Sequence, residues 1–211
     1  MIHLGRWQDT LPGTYDPARA VVITDPPFGI GRLAYADGIP WSEHVRQVLD
    51  LLPASRHVIR GPASLIVNMD IPHPRRIVVE AATFRRRAAA RPGVIPHRWH
   101  GWCMWGSAKL GRRRRAPNGD WFTVAAYDDT MGGFSGGNVH DATTPYQACY
   151  HIVDLLAEPG YVVVDPFAGL GTIGQAAQIL GHDYIGSEVD PRWQAQAIAR
   201  IGAGVQTEAF G

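Results

Sequence analysis

The chain of 211 residues is 45% hydrophobic and 18% charged, which suits one globular domain with a full-sized core. A net charge of +1, two cysteines without a CxxC pair and nine histidines without ligand spacing argue against a zinc module or a disulfide framework, and fit a reducing compartment. No run approaches the roughly 20 apolar residues of a membrane span, and the opening MIHLGRWQDT lacks the apolar centre of a signal peptide, so the expectation is a cytoplasmic protein without metal or membrane partner.

In chain order, residues 20–24 read as a buried parallel strand. Residues 41–52, WSEHVRQVLDLL, read as an amphipathic helix with Ser42 as its cap. Strands are expected over 57–60 and 63–68, closed by the proline-punctuated IPHPRR, and again over 77–84, 101–106 and 121–126. MGGFSGGN, 131–138, is a glycine-rich connection. Regular alternation then returns: helix 146–156, strand 161–165, helix 172–180, strand 183–188, helix 191–201. There is no internal repeat.

Charge is unevenly spread. Between Arg75 and Arg115 lie twelve basic residues against a single acid, Glu80, so the rest of the chain is acidic on balance. FRRRAAARPG and KLGRRRRAPNG are the densest parts, with Trp99, Trp102 and Trp105 between them. Such clusters grip phosphates as readily as they form a solvated loop face. Trp102 and Trp105 read as sheet packing, Cys103 as a small buried hydrophobe, and His97 and His100 as facing phosphate or solvent.

Two stretches carry chemistry. VVITDPPFGIG, 21–31, leaves a strand through Asp25, Pro26, Pro27 and Phe28, and a carboxylate before two prolines has no structural purpose at the end of a buried strand beyond a turn or cap. YVVVDPFAGLGTIGQAAQILGHDYIGSEVD, 161–190, is a βαβ unit: a strand ending at Asp165, a glycine turn, a helix, and a strand ending at Glu188. Residues 169–174 spell GxGxxG, with Glu188 where a ribose-binding acid stands. A nicotinamide dinucleotide fits poorly, because Asp165-Pro166-Phe167-Ala168 precedes the first glycine and would set a carboxylate against a pyrophosphate. S-adenosylmethionine fits better: its ammonium and sulfonium are positive, and Glu188 can take both ribose hydroxyls.

Together these stretches resemble the β-group amino DNA methyltransferases, the circularly permuted enzymes that methylate exocyclic amino groups in DNA. DPPF (Asp25, Pro26, Pro27, Phe28) is similar to their catalytic motif, DPFAGLGT (165–172) to their cofactor loop, and IGSEVDP (185–191) to their acidic strand end. HDATTPYQACYHIVDLLAEPG, 140–160, stands at the place of the short motif before that loop. Two positions depart from the pattern. Thr144 replaces the usual lysine before Pro145, and Arg6 stands where the opening Gly-Asp pair belongs, with Asp9 three residues on.

The resemblance implies a single-domain, Rossmann-like α/β fold with a mixed seven-stranded sheet, circularly permuted, so that IHLG near the N-terminus lies beside the strand ending at Glu188. Within 1–211 it implies a catalytic-motif half (1–70), a small basic target-recognition insertion (71–139) and a cofactor-binding half (140–211). It further implies Asp25, Pro26, Pro27 and Phe28 as catalytic residues. Asp165, Pro166, Phe167, Ala168, Gly169, Gly171, Thr172, Glu188, Thr144 and Pro145 would hold S-adenosylmethionine. Arg85, Arg86, Arg87, Arg112, Arg113, Arg114 and Arg115 would contact double-stranded DNA. The expected activity is methylation of N6 of adenine. N4 of cytosine is the near alternative, and an RNA N-methyltransferase or a catalytically weak DNA protein that binds S-adenosylmethionine are the distant ones. A homodimer and a restriction endonuclease partner are both left open.

Overall fold

The computed structural model describes residues 1–29, 38–83, 97–106, 121–124 and 144–207. Eight strands form one sheet: β1 (Ile2–Leu4), β2 (Ala20–Thr24), β3 (Arg56–Pro62), β4 (Arg76–Thr83), β5 (His97–Gly106), β6 (Trp121–Val124), β7 (Val162–Asp165) and β8 (Tyr184–Glu188). Their spatial order is β1-β8-β7-β2-β3-β5-β4-β6. Neighbours from β1 to β3 are parallel, β5 is antiparallel to both β3 and β4, and β6 is parallel to β4. The mixed sheet expected from the sequence is therefore present, with an eighth strand at its outer edge. Residues 76–83, 97–106 and 121–124 belong to the sheet itself. The described parts of the basic segment thus extend the sheet.

Strand alternation sorts the core into two layers. On one face, Val21, Ile23 and Val163 pack with Ile152, Ala176 and Ala197 from the helices α4 (Tyr146–Leu156), α5 (Thr172–Ile179) and α6 (Pro191–Thr207). On the other, Val22, Ile59 and Val164 pack with Trp7, Trp41, Val45 and Val48 from α1 (Trp7–Thr10) and α2 (Trp41–Leu51). Arg56 ties β3 to the end of α4, donating to the Leu156 carbonyl and to Glu158.

Two local expectations are corrected. Residues 63–68 form a short helix, α3 (Ala63–Val67), where a strand was expected, because β3 runs on to Pro62 and that proline, at φ −62° and ψ 143°, starts the helix. A short apolar run such as SLIV does not distinguish the two states by period. Ser42 is not the cap of α2. Pro40 occupies that position, and Ser42 lies inside the first turn. Trp41 sets this start: it is buried, donates to the Arg60 carbonyl at 2.9 Å, and lies so close to Gly61 that a Cβ there would come within 2.4 Å of its ring.

The N-terminal strand pairs as expected with the last one, Leu4 opposite Glu188, and the Met1 ammonium donates to the Tyr184 carbonyl. β7 and β2 are adjacent, but the chain continues from β7 to β8 on one side and from β2 to β3 on the other. This is the topological switch point of an open parallel sheet, where a crevice opens beyond the strand ends. Among the described residues no helix is long and apolar enough to cross a membrane.

Candidate active site

Both informative stretches leave the sheet at the switch point. Thr24, the last residue of β2, donates to Asp165 Oδ1 at 2.6 Å, and so joins the two strand tips. Asp165 is almost fully buried. Its Oδ1 also accepts from the Phe167 amide at 3.1 Å, and its Oδ2 from the Tyr184 hydroxyl at 3.2 Å. The carboxyl thus sits under the loop and shapes it. Burial raises its pKa from 3.8 to about 7 against the pull of those three donors.

Above it, the loop is built by glycine. Gly169 and Gly171 have φ of +50° and +72°, and Gly171 is the N-cap of α5 in the left-handed conformation. A Cβ at Gly171 would press on Ala197 at 2.9 Å, whereas one at Gly169 would meet nothing within 4 Å. The chain is thus tight against α6 at one glycine and open at the other. Ala168 donates to the Ser187 carbonyl, which fastens the loop to β8. Phe167 lies edge-on to His44 and Trp7, and Thr172 accepts from Arg200 at 2.6 Å. Glu188, at the end of β8, accepts from the Gly169 amide through Oε2 and the Asp190 amide through Oε1, both at 2.9 Å. Its carboxylate is therefore fixed beside the open glycine.

Asp25 follows β2 directly. Its Oδ2 accepts from Arg60 Nη1 at 2.9 Å and from the Thr144 hydroxyl, while its buried Oδ1 has no hydrogen-bond partner among the described residues. Burial raises the Asp25 pKa, with Arg60 and Thr144 pulling it back. Thr144, expected as one wall of the cofactor pocket, is thus bonded to the catalytic-motif aspartate, and Pro145 next to it is the N-cap of α4. Phe28 packs against His100, ring centroids 5.9 Å apart. Beside Phe28 a cleft of about 290 Å³ is lined by Gly29, Ile39, Trp41, Leu65, Asn68 and Met69, among others.

The sequence reading missed several residues here. His100 is buried against Phe28 and does not face solvent. Arg60 and Glu80 lie beneath Asp25, and Glu80 also accepts from Trp102 Nε1 at 2.9 Å. Trp102 and Cys103 are core residues as expected, and Trp105 donates to the Pro72 carbonyl. Arg85, Arg86, Arg87, Arg112, Arg113, Arg114 and Arg115 lie outside the described residues, as does the side chain of His97. Among the described residues no cluster of histidine, cysteine and acid could hold a metal.

Comparison with known proteins agrees with this geometry. A family model described as DNA methylase, of the N6/N4 type, matches residues 99–199. The chain is 36% identical over 66 residues to the type II methyltransferase M.HinfI of Haemophilus influenzae, a match covering 31% of this chain and 18% of that protein. The fold is similar to that of PvuII DNA methyltransferase (cytosine-N4-specific), with a TM-score of 0.64 at 16% identity, covering 94% of this chain and 85% of that one. It is also similar to the M1.HpyAVI–SAM complex, with a TM-score of 0.61 at 16% identity, covering 87% and 89%. Over residues 99–199, from β5 into α6, the chain is thus similar to the N6/N4 type of DNA methylase.

Proposed function

We propose that the chain transfers a methyl group from S-adenosylmethionine to an exocyclic amino nitrogen of double-stranded DNA, N6 of adenine, as a permuted β-group enzyme. One observation carries this reading: the DPPF turn and the glycine loop open from adjacent strand ends, bridged by Thr24 and Asp165. The residues fit the cofactor. The open side of Gly169 leaves room over the loop, and Glu188 stands beside it to receive ribose hydroxyls. The first amides of α5 and the Thr144–Pro145 segment would hold the methionine end. S-adenosylmethionine supplies a methyl group bonded to a sulfonium, an electrophile.

The rest is the chain's own work. An exocyclic amino nitrogen is a poor nucleophile because its lone pair is delocalised into the ring. Asp25 Oδ1, buried and without a partner among the described residues, is an acceptor for one amino hydrogen, and the Pro26 carbonyl, aimed by two residues of fixed φ, for the other. Two acceptors favour a tetrahedral nitrogen, and transfer then gains from positioning and placed dipoles. Phe28 stacks on a base turned out of the duplex, beside the cleft described above.

N4 of cytosine is the second reading, favoured by the fold shared with the cytosine-N4-specific PvuII enzyme. Incubation with tritiated S-adenosylmethionine and unmethylated genomic DNA, followed by nucleoside analysis, separates the readings. N6-methyladenine is expected, and N4-methylcytosine would move the assignment. Label in RNA alone, or none despite cofactor binding, would overturn the reading.

Replacing Glu188 by Ala removes a charge-assisted contact to the ribose and the clamp on the Gly169 amide. The cost is on the order of 1.5–3 kcal/mol, so S-adenosylmethionine should bind at least about tenfold more weakly by calorimetry. Undiminished affinity would place the ribose elsewhere.

The arginine clusters give a further expectation. With Arg112, Arg113, Arg114 and Arg115 changed to Ala, duplex binding should weaken alike for all sequences, since phosphate contacts carry no base information. Each lost contact flattens the slope of log affinity against log salt by about 0.9. An unchanged slope in a salt titration would make these arginines a solvated loop.

A further inference from the structure

A buried chain of charge lies behind Asp25, and the methyl-transfer chemistry as derived above does not use it. Arg60 sits on β3 opposite Trp102 of β5, its guanidinium 5.9 Å from that ring. Through Nε and Nη2 it bonds both oxygens of Glu80 on β4, at 2.9 and 2.7 Å. Its remaining nitrogen, Nη1, reaches Asp25 Oδ2 at 2.9 Å. The side chains of Arg60 and Glu80 are 4% and 0% exposed, so neither ion would be tolerated there alone.

The geometry divides the labour. The paired, fork-to-carboxylate contact commits two of the three Arg60 nitrogens to Glu80. Burial raises Glu80, but Arg60, His100 and Trp102 together outweigh it and hold the carboxyl below its ordinary value, whereas Asp25 stays above its own. Asp25 receives the pull of the guanidinium charge, which Glu80 offsets only in part, and one directional hydrogen bond from Nη1. With Thr144 on the same oxygen, the carboxylate plane is fixed and Oδ1 alone is left to accept.

We propose that Arg60, backed by Glu80, is a positioning residue for methyl transfer: it pins Asp25 Oδ2 so that Oδ1 is presented to the substrate's amino group. This rests on the function proposed above. Arg60 touches neither cofactor nor base in this scheme and acts through Asp25.

The test uses the full chain with unmethylated genomic DNA. Arg60→Met alone leaves Glu80 buried without its counter-charge, so the paired Arg60→Met/Glu80→Gln variant is made beside it, with Arg60→Lys as the conservative change. In the paired variant, folded by its melting curve, kcat should fall about tenfold or more. S-adenosylmethionine affinity should stay within about threefold, since the cofactor loop is untouched.

The acid limb of the kcat–pH profile should move to higher pH, because the Arg60 charge and hydrogen bond that favour ionised Asp25 outweigh the opposing Glu80 charge that the paired change also removes. The other titratable groups around it, Asp165 on β7, His100 on β5 and Cys149 on α4, are the same in both proteins. Arg60→Lys should restore part of the rate. An unchanged kcat and pH profile in the folded paired variant would overturn the inference. A carbon-13 titration of the Asp25 carboxyl, needing no turnover, keeps the two readings apart. If the wild type transfers no methyl, the proposed function falls, and an Asp25 titration unmoved by the paired change would sink the Arg60 role as well.

Discussion

Asp25→Ala should abolish methyl transfer, with a loss of at least about a thousandfold, while S-adenosylmethionine binds within a few-fold of wild type. The reason is local. Asp25 lies on the β2 side of the switch point, whereas the glycine loop and Glu188 lie at the ends of β7 and β8. The substitution deletes the Oδ1 acceptor and leaves Arg60 bonded to Glu80, so the interior keeps a neutral pair. Asn is the sharper probe. It keeps the shape and one carbonyl acceptor, but its amide cannot accept from both Arg60 and Thr144 while also presenting an acceptor to the base. A partial rate for Asn and none for Ala would fit acceptance at Oδ1. Calorimetry alongside the tritium assay decides, and a large loss of cofactor affinity in either variant would show that Asp25 belongs to the cofactor site.

Much of this site was legible in the sequence because its parts are contiguous. DPPF and DPFAGLGT each carry a strand tip, a turn and a carboxylate within a few residues, so local spacing alone places them at strand ends. Their meeting through Thr24 and Asp165 is a finding of the folded sheet, in which β2 and β7 pair. The pairing of IHLG with the strand ending at Glu188 was implied by the resemblance to the permuted enzymes. What sequence reading lost were single residues whose partners are long-range. Arg60 is 35 positions from Asp25 and 20 from Glu80. A signal existed, since an arginine inside HVIRG and a glutamate after IVV both put a charge in a run that reads as buried. A buried charge must find a partner. Assigning Glu80 only to the tally of a basic segment hid that pairing. The short run 63–68 failed for another reason: four apolar residues after a proline carry no period long enough to separate helix from strand.

The Asp165 carboxyl makes the last expectation, because its pKa of about 7 lies far above the 3.8 of an exposed aspartate. Below about pH 4 the group is protonated whether the chain is folded or not. Between about 4 and 7 the folded chain holds a proton that the unfolded chain releases. This group's contribution to stability is therefore lost as pH rises, with a slope approaching about 1.4 kcal/mol per pH unit, and is level above 7. Asp165→Asn mimics the protonated carboxyl: its oxygen can accept from Thr24 and the Phe167 amide, and its NH₂ can donate to the Tyr184 hydroxyl. The variant should match wild type near pH 4, exceed it at pH 8, and lack the intervening slope. Asp25, also raised by burial, helps by its charge to raise Asp165, so the difference between the two curves reports Asp165 together with its coupling to Asp25. Denaturant melts across the range read it directly. A variant destabilised equally at every pH would mean that Asp165 is held ionised beneath the loop. A positive ligand above the loop favours that ionised form, so cofactor bound near Asp165 should bind more tightly as pH rises through about 7, and the Asn variant should lose that dependence.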